Sequence, residues 1–297
     1  MAVDVSIIIV NYNSGQYLPD CVESIYAHTK GISFEIIVVD NNSTDDSFCK
    51  ICEKFVPICG LKNPTNLGFG AANNLGARKA AGKYLFFLNP DTILTDDAVS
   101  AFYKFLTESN PQIAACGGRM QKPDGEYAVS FGHFPTLFQH FSDIGFRVLF
   151  KGFYNKRLSL SPPCNFTIPQ QVDYISGADI FIRSAVFEKL DGFDEHFFMY
   201  YEDTDLFYRL SKAGYQTWLL PQVKIIHHES PAAHPGGSFN YTKYSMLEKS
   251  KYLYFAKNHG AGSVFWVKLF QLFELVFHYF GRYRYSLPKT VGITLKA

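Results

Sequence analysis

Little in this sequence supports a disulfide or zinc framework: six cysteines, at 21, 49, 52, 59, 116 and 164, are spread thinly over 297 residues. Cys49-x-x-Cys52 with Cys59 has no second Cys/His pair at ligand spacing, so reduced thiols are expected. An excess of one charge is also missing. Lys and Arg number 28 against 27 Asp and Glu, a net of +1, which gives no general field for nucleic acid and makes any anion binding local. The start, Met1-Ala2-Val3-Asp4, has no basic leader, and the apolar run Ile7 to Val10 is too short for a secretion signal, so a cytoplasmic protein is expected. No Gly-x-Gly-x-x-Gly follows the first strand pattern, where Asn11-Tyr12-Asn13-Ser14-Gly15 stands instead. That argues against a nicotinamide-dependent dehydrogenase.

What is present is apolar sequence, 47% of the chain, in alternating strand and helix patterns. Val5 to Val10 reads as a strand and Leu18 to His28 as a helix. Phe34 to Val39 is a second strand, and Ser43 or Thr44 is placed to cap a helix with Asp45 and Asp46 in its first turn. A Gly68-Phe69-Gly70 loop leads to a helix over about 71–81 and then the strand Tyr84 to Leu88. This alternation predicts an α/β, Rossmann-like, doubly wound and mostly parallel sheet with ligands at the carboxyl ends of the strands. From about 112 to 175 the pattern is irregular, with a hairpin expected at Pro123-Asp124-Gly125, and is read as an acceptor-facing insertion. Strand character returns over Tyr174 to Ile182, Ser184 is placed to cap a helix to Leu190, and another helix runs from Glu202 to Ala213.

After Tyr244 the chain reads as helical. In residues 263–280 the polar Lys268, Gln271, Glu274 and His278 share one face of an aromatic helix, which predicts an amphipathic helix rather than a membrane span. Two partners fit its apolar face: a membrane surface, with Arg282, Arg284 and Lys289 meeting anionic headgroups, or the protein's own core or a second copy.

Three strand ends carry polar groups: Asn11 to Asn13, Asp40 to Asn42, and Asn89 to Asp91. A carboxylate at Asp91 is placed to coordinate Mg²⁺ or Mn²⁺ on a diphosphate, against the plain alternative of an Asx turn. Asp40 is placed to accept hydrogen bonds from a base or ribose, or else to cap a helix. Glu202-Asp203-Thr204-Asp205 sets three acids among aromatics, where like charge and burial raise a carboxylate toward the range of a general base. His227-His228-Glu229 follows the short strand Lys224 to Ile226 and could give an imidazole to a metal.

Taken in order, Val5 to Asn13, Ile37 to Asp45, Asn66 to Gly76, Leu88-Asn89-Pro90-Asp91, Gly192-Phe193-Asp194-Glu195 and Glu202 to Leu206 resemble family-2 inverting glycosyltransferases of the GT-A fold, particularly bacterial rhamnosyltransferase-like members. The resemblance runs from about Val5 to His228. It implies that Asn11, Asn13, Asp40, Asn42, Asn66, Gly68, Asn89 and Asp91 serve the nucleotide-sugar, that Asp91 and His227 hold a divalent metal (Mg²⁺ or Mn²⁺), and that Asp203, beside Glu202, is the catalytic base. Gly177, Ala178 and Asp179 would adjoin the acceptor. The family's metal motif is often Asp-x-Asp, and Asn89 stands in its first position here. The expected organisation is a GT-A domain over 1–243, with a nucleotide-binding half of about 1–110 and an acceptor-binding half of about 111–243, then a helical extension over 244–297. A glycan or lipid-linked glycan acceptor is implied, with peripheral inner-membrane contact through 263–285. A polyprenyl-phosphate sugar transferase and a non-catalytic nucleotide-sugar-binding protein are the rival readings.

Overall fold

The computed structural model describes residues 3–55, 57–228, 239–279 and 285–297. Glu229, Arg282 and Arg284 lie outside the described residues. In chain order the elements are β1 (Val5–Asn11), α1 (Tyr17–His28), β2 (Phe34–Asp40), α2 (Ser47–Lys54), β3 (Cys59–Lys62), α3 (Phe69–Ala77), β4 (Tyr84–Leu88), β5 (Thr92–Leu94), α4 (Ala98–Glu108) and β6 (Ile113–Gln121). There follow β7 (Phe131–Gly132), α5 (Leu137–Asp143), a 3₁₀ helix (Phe146–Phe150), α6 (Lys151–Arg157), β8 (Gln170–Val172), β9 (Tyr174–Ile175), β10 (Asp179–Arg183) and α7 (Ser184–Lys189). The chain closes with α8 (Glu202–Lys212), β11 (Gln216–His227), α9 (Tyr241–His259), α10 (Ala261–Tyr279) and α11 (Leu287–Lys296).

The main sheet runs β3-β2-β1-β4-β10-β6-β11-β5, with β8 added on β11. β3, β2, β1 and β4 are parallel, as are β6 and β11, while β10 is antiparallel to both its neighbours, β4 and β6. The centre of β1, Ile7 to Val10, is a continuous apolar run because both of its faces are covered. Ile7 and Ile9 face the cluster holding Val22, Ile25 and Phe102, whereas Ile8 faces Ala72, Phe87 and Phe193. In-register pairing puts Asn11 beside Asp40, and Thr92 beside His227, so several polar residues gather at the sheet's rim.

Some local expectations are corrected. Ser43 and Thr44 do not cap α2, which begins at Ser47 after Asp46, because Asn11 and Asn13 take their polar groups. Ser184 is the first helical residue of α7 and makes no cap. The strand expected over 174–182 is broken at Ser176-Gly177-Ala178 into β9 and β10. Within the irregular stretch lies β6, a central strand, and the hairpin turn at 123–125 follows it, closed by the Gln121–Tyr127 bridge. β11 is also far longer than the strand expected at 224–226.

The orientation of α10 inverts the usual rule for a helix on a folded protein. Three of its polar residues face inward, the side chain of His278 lying outside what is described: Lys268 donates to the Leu295 carbonyl (3.2 Å), and Gln271 accepts from Lys251 (2.6 Å) and donates to Glu274 (3.3 Å). Its large aromatics face outward, Phe265 at 65% exposure and Phe277 at 63%. Part of its apolar surface does enter the core: Val267 joins the cluster of Tyr252, Tyr254 and Phe255, Val264 packs against it, and Leu275 is buried. Lys289 lies over the Tyr241 ring, 3.8 Å from its centroid. No helix among the described residues is long and apolar enough to cross a membrane.

Candidate functional site

At the rim, strand ends are tied together by amide side chains. The Asn11 amide nitrogen lies 2.9 Å from Asp40 Oδ1, 3.0 Å from Ser43 Oγ and 2.9 Å from Ser47 Oγ. Asn11, expected to serve the nucleotide-sugar, is fully buried and fixes the turn that follows β2. Asp40 is buried against it. Asn13, with φ 51°, accepts the Thr44 N–H at 2.7 Å, and Asn42, exposed with φ 67°, turns the chain out of β2.

The residue missed in this turn is Asn41. Its Oδ1 accepts from Asn63 Nδ2 and the Leu67 N–H, both at 3.0 Å, and its Nδ2 donates to Asn66 Oδ1 at 2.8 Å and the Gly68 carbonyl at 3.1 Å. All four bonding positions of one buried amide are used, so the loop 63–68 is clamped to the end of β2. Asp40-Asn41-Asn42 offered the right segment, but nothing in sequence said which amide turns inward.

Gly68 sits under this clamp with φ +86°, and a Cβ there would fall 2.2 Å from the Phe198 carbonyl oxygen. That carbonyl also accepts the Phe69 N–H at 3.0 Å, which binds the loop to the segment before α8. Together the loop, Asn13, Asn89 and Asp91 line a cavity of about 240 Å³. Asp91 Oδ1 stands 3.2 Å from His227 Nε2, and the Asp91 carbonyl accepts the His228 N–H at 2.9 Å. His228 in turn packs on Tyr17, ring centroids 5.0 Å apart. Among the described residues no group of three or more His, Cys, Asp or Glu side chains converges. One carboxylate and one imidazole still fit a divalent ion that draws its other ligands from substrate oxygens.

A second cavity, about 540 Å³, shares Phe69, Asn89 and Met199 with the first. The acid cluster opens here, and the structure sorts its members. Asp203, half-buried on the wall, accepts the Gly177 N–H at 2.9 Å and the Thr204 N–H at 2.6 Å. Burial pushes its carboxyl above the usual range, against the pull of these donors. Glu202 is buried, its Oε2 has no partner among the described residues, and burial followed by the neighbouring Asp203 charge drives its carboxyl well above 4.5. Asp205 is fully buried and structural, bonded by Arg209 (2.8 Å), Lys257 (2.9 Å) and Asn258 (3.2 Å). Tyr200 and Tyr201, just before the cluster, both have positive φ, 71° and 67°.

Gly177 and Ala178 line this cavity, but Asp179 does not. Its fully buried carboxyl accepts the Gly118 N–H at 2.5 Å, and desolvation lifts it well above the carboxylate range. Its expected contact with an acceptor is therefore corrected to a structural tie between β10 and β6. Missed from sequence were Gln139, His140, Lys251, Gln271 and Glu274, which bring α5, α9 and α10 to the same wall. Gln139 Oε1 and His140 Nε2 are buried without partners among the described residues, and burial lowers His140 to about 3, so it is neutral.

A further cavity, about 780 Å³, lies elsewhere, along Asn74, Arg78, Gly192 and Arg209. Its cations are already committed: Arg209 to Asp205 and the Leu190 and Gly192 carbonyls, Lys257 to Asp194 and Asp205.

A family model described as glycosyl transferase family 2 matches residues 6–189. The chain belongs to glycosyltransferase family 2. It is similar over 273 residues, at 26% identity, to the N-acetylglucosaminyl-diphospho-decaprenol L-rhamnosyltransferase of Mycobacterium tuberculosis, covering 86% of this chain and 84% of that protein. It is 29% identical over 261 residues to the rhamnosyltransferase WbbL of Escherichia coli K12, covering 85% and 93%. Among solved structures, the mannosyltransferase PcManGT from Pyrobaculum calidifontis, in complex with GDP-Man and Mn²⁺, superposes with a TM-score of 0.58 at 13% identity over 99% of this chain and 74% of that one. The S. aureus TarS fragment in complex with UDP gives 0.53 at 18% identity, over 91% and 71%. These likenesses carry the GT-A fold. The family-2 chain is thus a glycosyltransferase with a mixed, mostly parallel sheet and C-terminal helices.

One stability consequence arises here. A Glu whose folded-state proton affinity is raised stabilises the fold fully below its ordinary value of 4.5, and that stability is lost as pH rises from there toward the folded value. Glu202→Gln removes the loss. Thermal melts should therefore find the variant at least as stable as wild type at pH 8, with the difference shrinking toward pH 5. A variant that loses ground specifically at pH 8 would mean Glu202 is ionised and paired.

Proposed function

We propose that this glycosyltransferase inverts configuration while moving a sugar from a nucleotide-diphosphate donor, dTDP-rhamnose by analogy with the named relatives, to a hydroxyl of a lipid-linked glycan in cell-surface polysaccharide synthesis. The observation that carries the reading is the shared wall: a half-buried carboxylate, Asp203, opens on a cavity that meets the Asp91 cavity at Phe69, Asn89 and Met199. The smaller cavity takes the donor. Asn13, Asn66, Gly68 and Asn89 line it, Asn11, Asp40 and Asn42 shape it from behind, and Asp91 with His227 would hold Mn²⁺ or Mg²⁺. Such an ion, when bound, neutralises charge on the departing diphosphate.

The larger cavity takes the acceptor, along Gly177 and Ala178 and the unpartnered polar atoms of Gln139 and His140, which a sugar's hydroxyl groups would satisfy. Asp203 accepts the acceptor's proton as that oxygen bonds to the anomeric carbon. The bond from that carbon to the diphosphate oxygen breaks, and the diphosphate leaves with the electron pair. Protonated Glu202 beside it keeps a second negative charge away from the attacking oxygen. On this reading residues 1–110 serve the donor, 111–243 serve the acceptor, and 244–297 complete the acceptor wall at the inner membrane face.

The test is a thermal-shift panel of UDP, GDP, dTDP and CDP, each with Mn²⁺ or with EDTA, on wild type and Asp91→Ala. A rise of several degrees with one nucleotide and Mn²⁺, lost in Asp91→Ala, is expected. A response indifferent to both metal and Asp91 would remove the metal role. No response to any nucleotide would turn the reading toward a non-catalytic protein.

A further inference from the structure

The outward aromatic face of α10 does not stand alone. Phe270, on the same helix, meets Phe141 of α5 with ring centroids 5.8 Å apart, and Phe141 stacks on Phe146 at 4.7 Å. The apolar surface thereby continues onto the 3₁₀ helix and α6, where Val148 is 75% exposed, Leu149 78% and Phe153 55%. Two segments more than a hundred residues apart in sequence thus build one exposed patch, far beyond the scattered apolar residues of an ordinary surface.

Charge marks what the patch meets. Between Asp143 and Asp173 the chain has no Asp or Glu, yet it carries Arg147, Lys151, Lys156 and Arg157, all exposed. Basic side chains interleaved with exposed aromatic and aliphatic ones match the boundary of an anionic bilayer, where headgroups take the cations and the acyl margin takes the rings. A second copy of this chain would meet the same four cations with four of its own.

We infer that the 146–157 segment and the outer face of α10 form one platform that seats the enzyme on an anionic lipid bilayer. This deepens the lipid-linked-acceptor reading by fixing an orientation. The platform's helices turn their other faces to the acceptor cavity, α5 through Gln139 and His140, and α10 through Gln271 and Glu274. A glycan carried at the headgroup level would enter from the platform side, with the donor cavity on the side away from it. The sequence pattern pointed to 263–285 and Lys289; the basic 146–157 element was not part of that expectation.

The experiment is co-sedimentation of the full chain with 100-nm vesicles of phosphatidylcholine alone or with about 30% phosphatidylglycerol, which is independent of donor and acceptor. Wild type should pellet with the anionic vesicles and largely release when NaCl rises from 0.1 to 0.5 M, since screening shortens the reach of the cations. Leu149→Asp, and separately Lys151→Glu with Arg157→Glu, should each cut the partition coefficient at least about tenfold, while the nucleotide thermal shift and far-UV circular dichroism stay as in wild type. The platform is overturned if wild type stays in the supernatant with anionic vesicles, if both variants bind as wild type does, or if size-exclusion chromatography shows a dimer that Leu149→Asp splits while vesicles go unbound. Vesicle binding in a protein that fails the nucleotide panel would sink the glycosyl-transfer mechanism and leave the platform standing.

Discussion

Replacing Asp203 with Asn should lower kcat by about 10² to 10⁴-fold, the usual worth of a positioned base, while leaving the Mn²⁺-dependent nucleotide shift intact. Asn keeps the shape of the side chain, and its oxygen can still accept from Gly177 or Thr204, so α8 and the β9–β10 turn should hold their places. What it cannot do is take a proton. The acid limb of the wild-type rate profile should accordingly lie above the ordinary carboxylate range, because burial raises the group that must be ionised to work. The outcome also separates two chemistries. A polyprenyl phosphate presents an oxygen that is already ionised and needs no base, so near-wild-type activity of Asp203→Asn on such an acceptor would move the assignment to that rival.

Gly68→Ala should be the most damaging single methyl group near the donor cavity. The backbone there has φ +86°, and the new Cβ would press to 2.2 Å from the Phe198 carbonyl oxygen, with the Phe198 carbonyl carbon and Cα at 2.9 Å. Left-handed strain costs about 1–3 kcal/mol, and forcing apart packed backbone costs a similar amount. A fall in Tm of at least about 5 °C follows from the size scaling, together with loss of the nucleotide shift as the 66–69 loop moves off Asn41. Gly262→Ala is the control, since nothing lies within 4 Å of its added methyl. Equal melting points for the two variants would show that the loop yields at no cost and that the close approach to Phe198 is dispensable.

The parallel half of the sheet was legible because β1, β2 and β4 are covered on both faces, and such strands are written with continuous apolar stretches such as Ile7 to Val10, Ile36 to Val39 and Tyr84 to Leu88. β6 was not, although it lies at the centre. Its sequence is Ile-Ala-Ala-Cys-Gly-Gly-Arg-Met-Gln, and the small residues that hide it are dictated by crowding: a Cβ on Gly117 would stand 2.5 Å from Ile175, and one on Gly118 would stand 2.9 Å from the Val223 carbonyl. Strand propensity yields there to close packing. β11 was seen only at its end because Pro221 and a register shift between Leu220 and Lys224 interrupt its pattern.

At the rim, sequence marks the strand ends without saying which side chains turn inward. Polar residues at strand ends mark the rim, but a side chain's direction there depends on partners that are remote in sequence. Asn11 turns inward to Ser47, Asp179 to Gly118, and Asn41 to a loop more than twenty residues away. The inward turn of Lys268, Gln271 and Glu274 was equally hidden, since periodicity defines two faces without saying which is out.

The wall formed by Phe69, Asn89 and Met199 has a consequence for initial-rate kinetics. With the two chambers adjoining rather than superimposed, the substrates have separate seats and must be held simultaneously for the transfer proposed above. Double-reciprocal plots at several fixed donor concentrations should intersect, the signature of a ternary complex; parallel lines would instead report a sugar parked on the protein between two half-reactions, and Asp203 would then be its nucleophile rather than its proton acceptor.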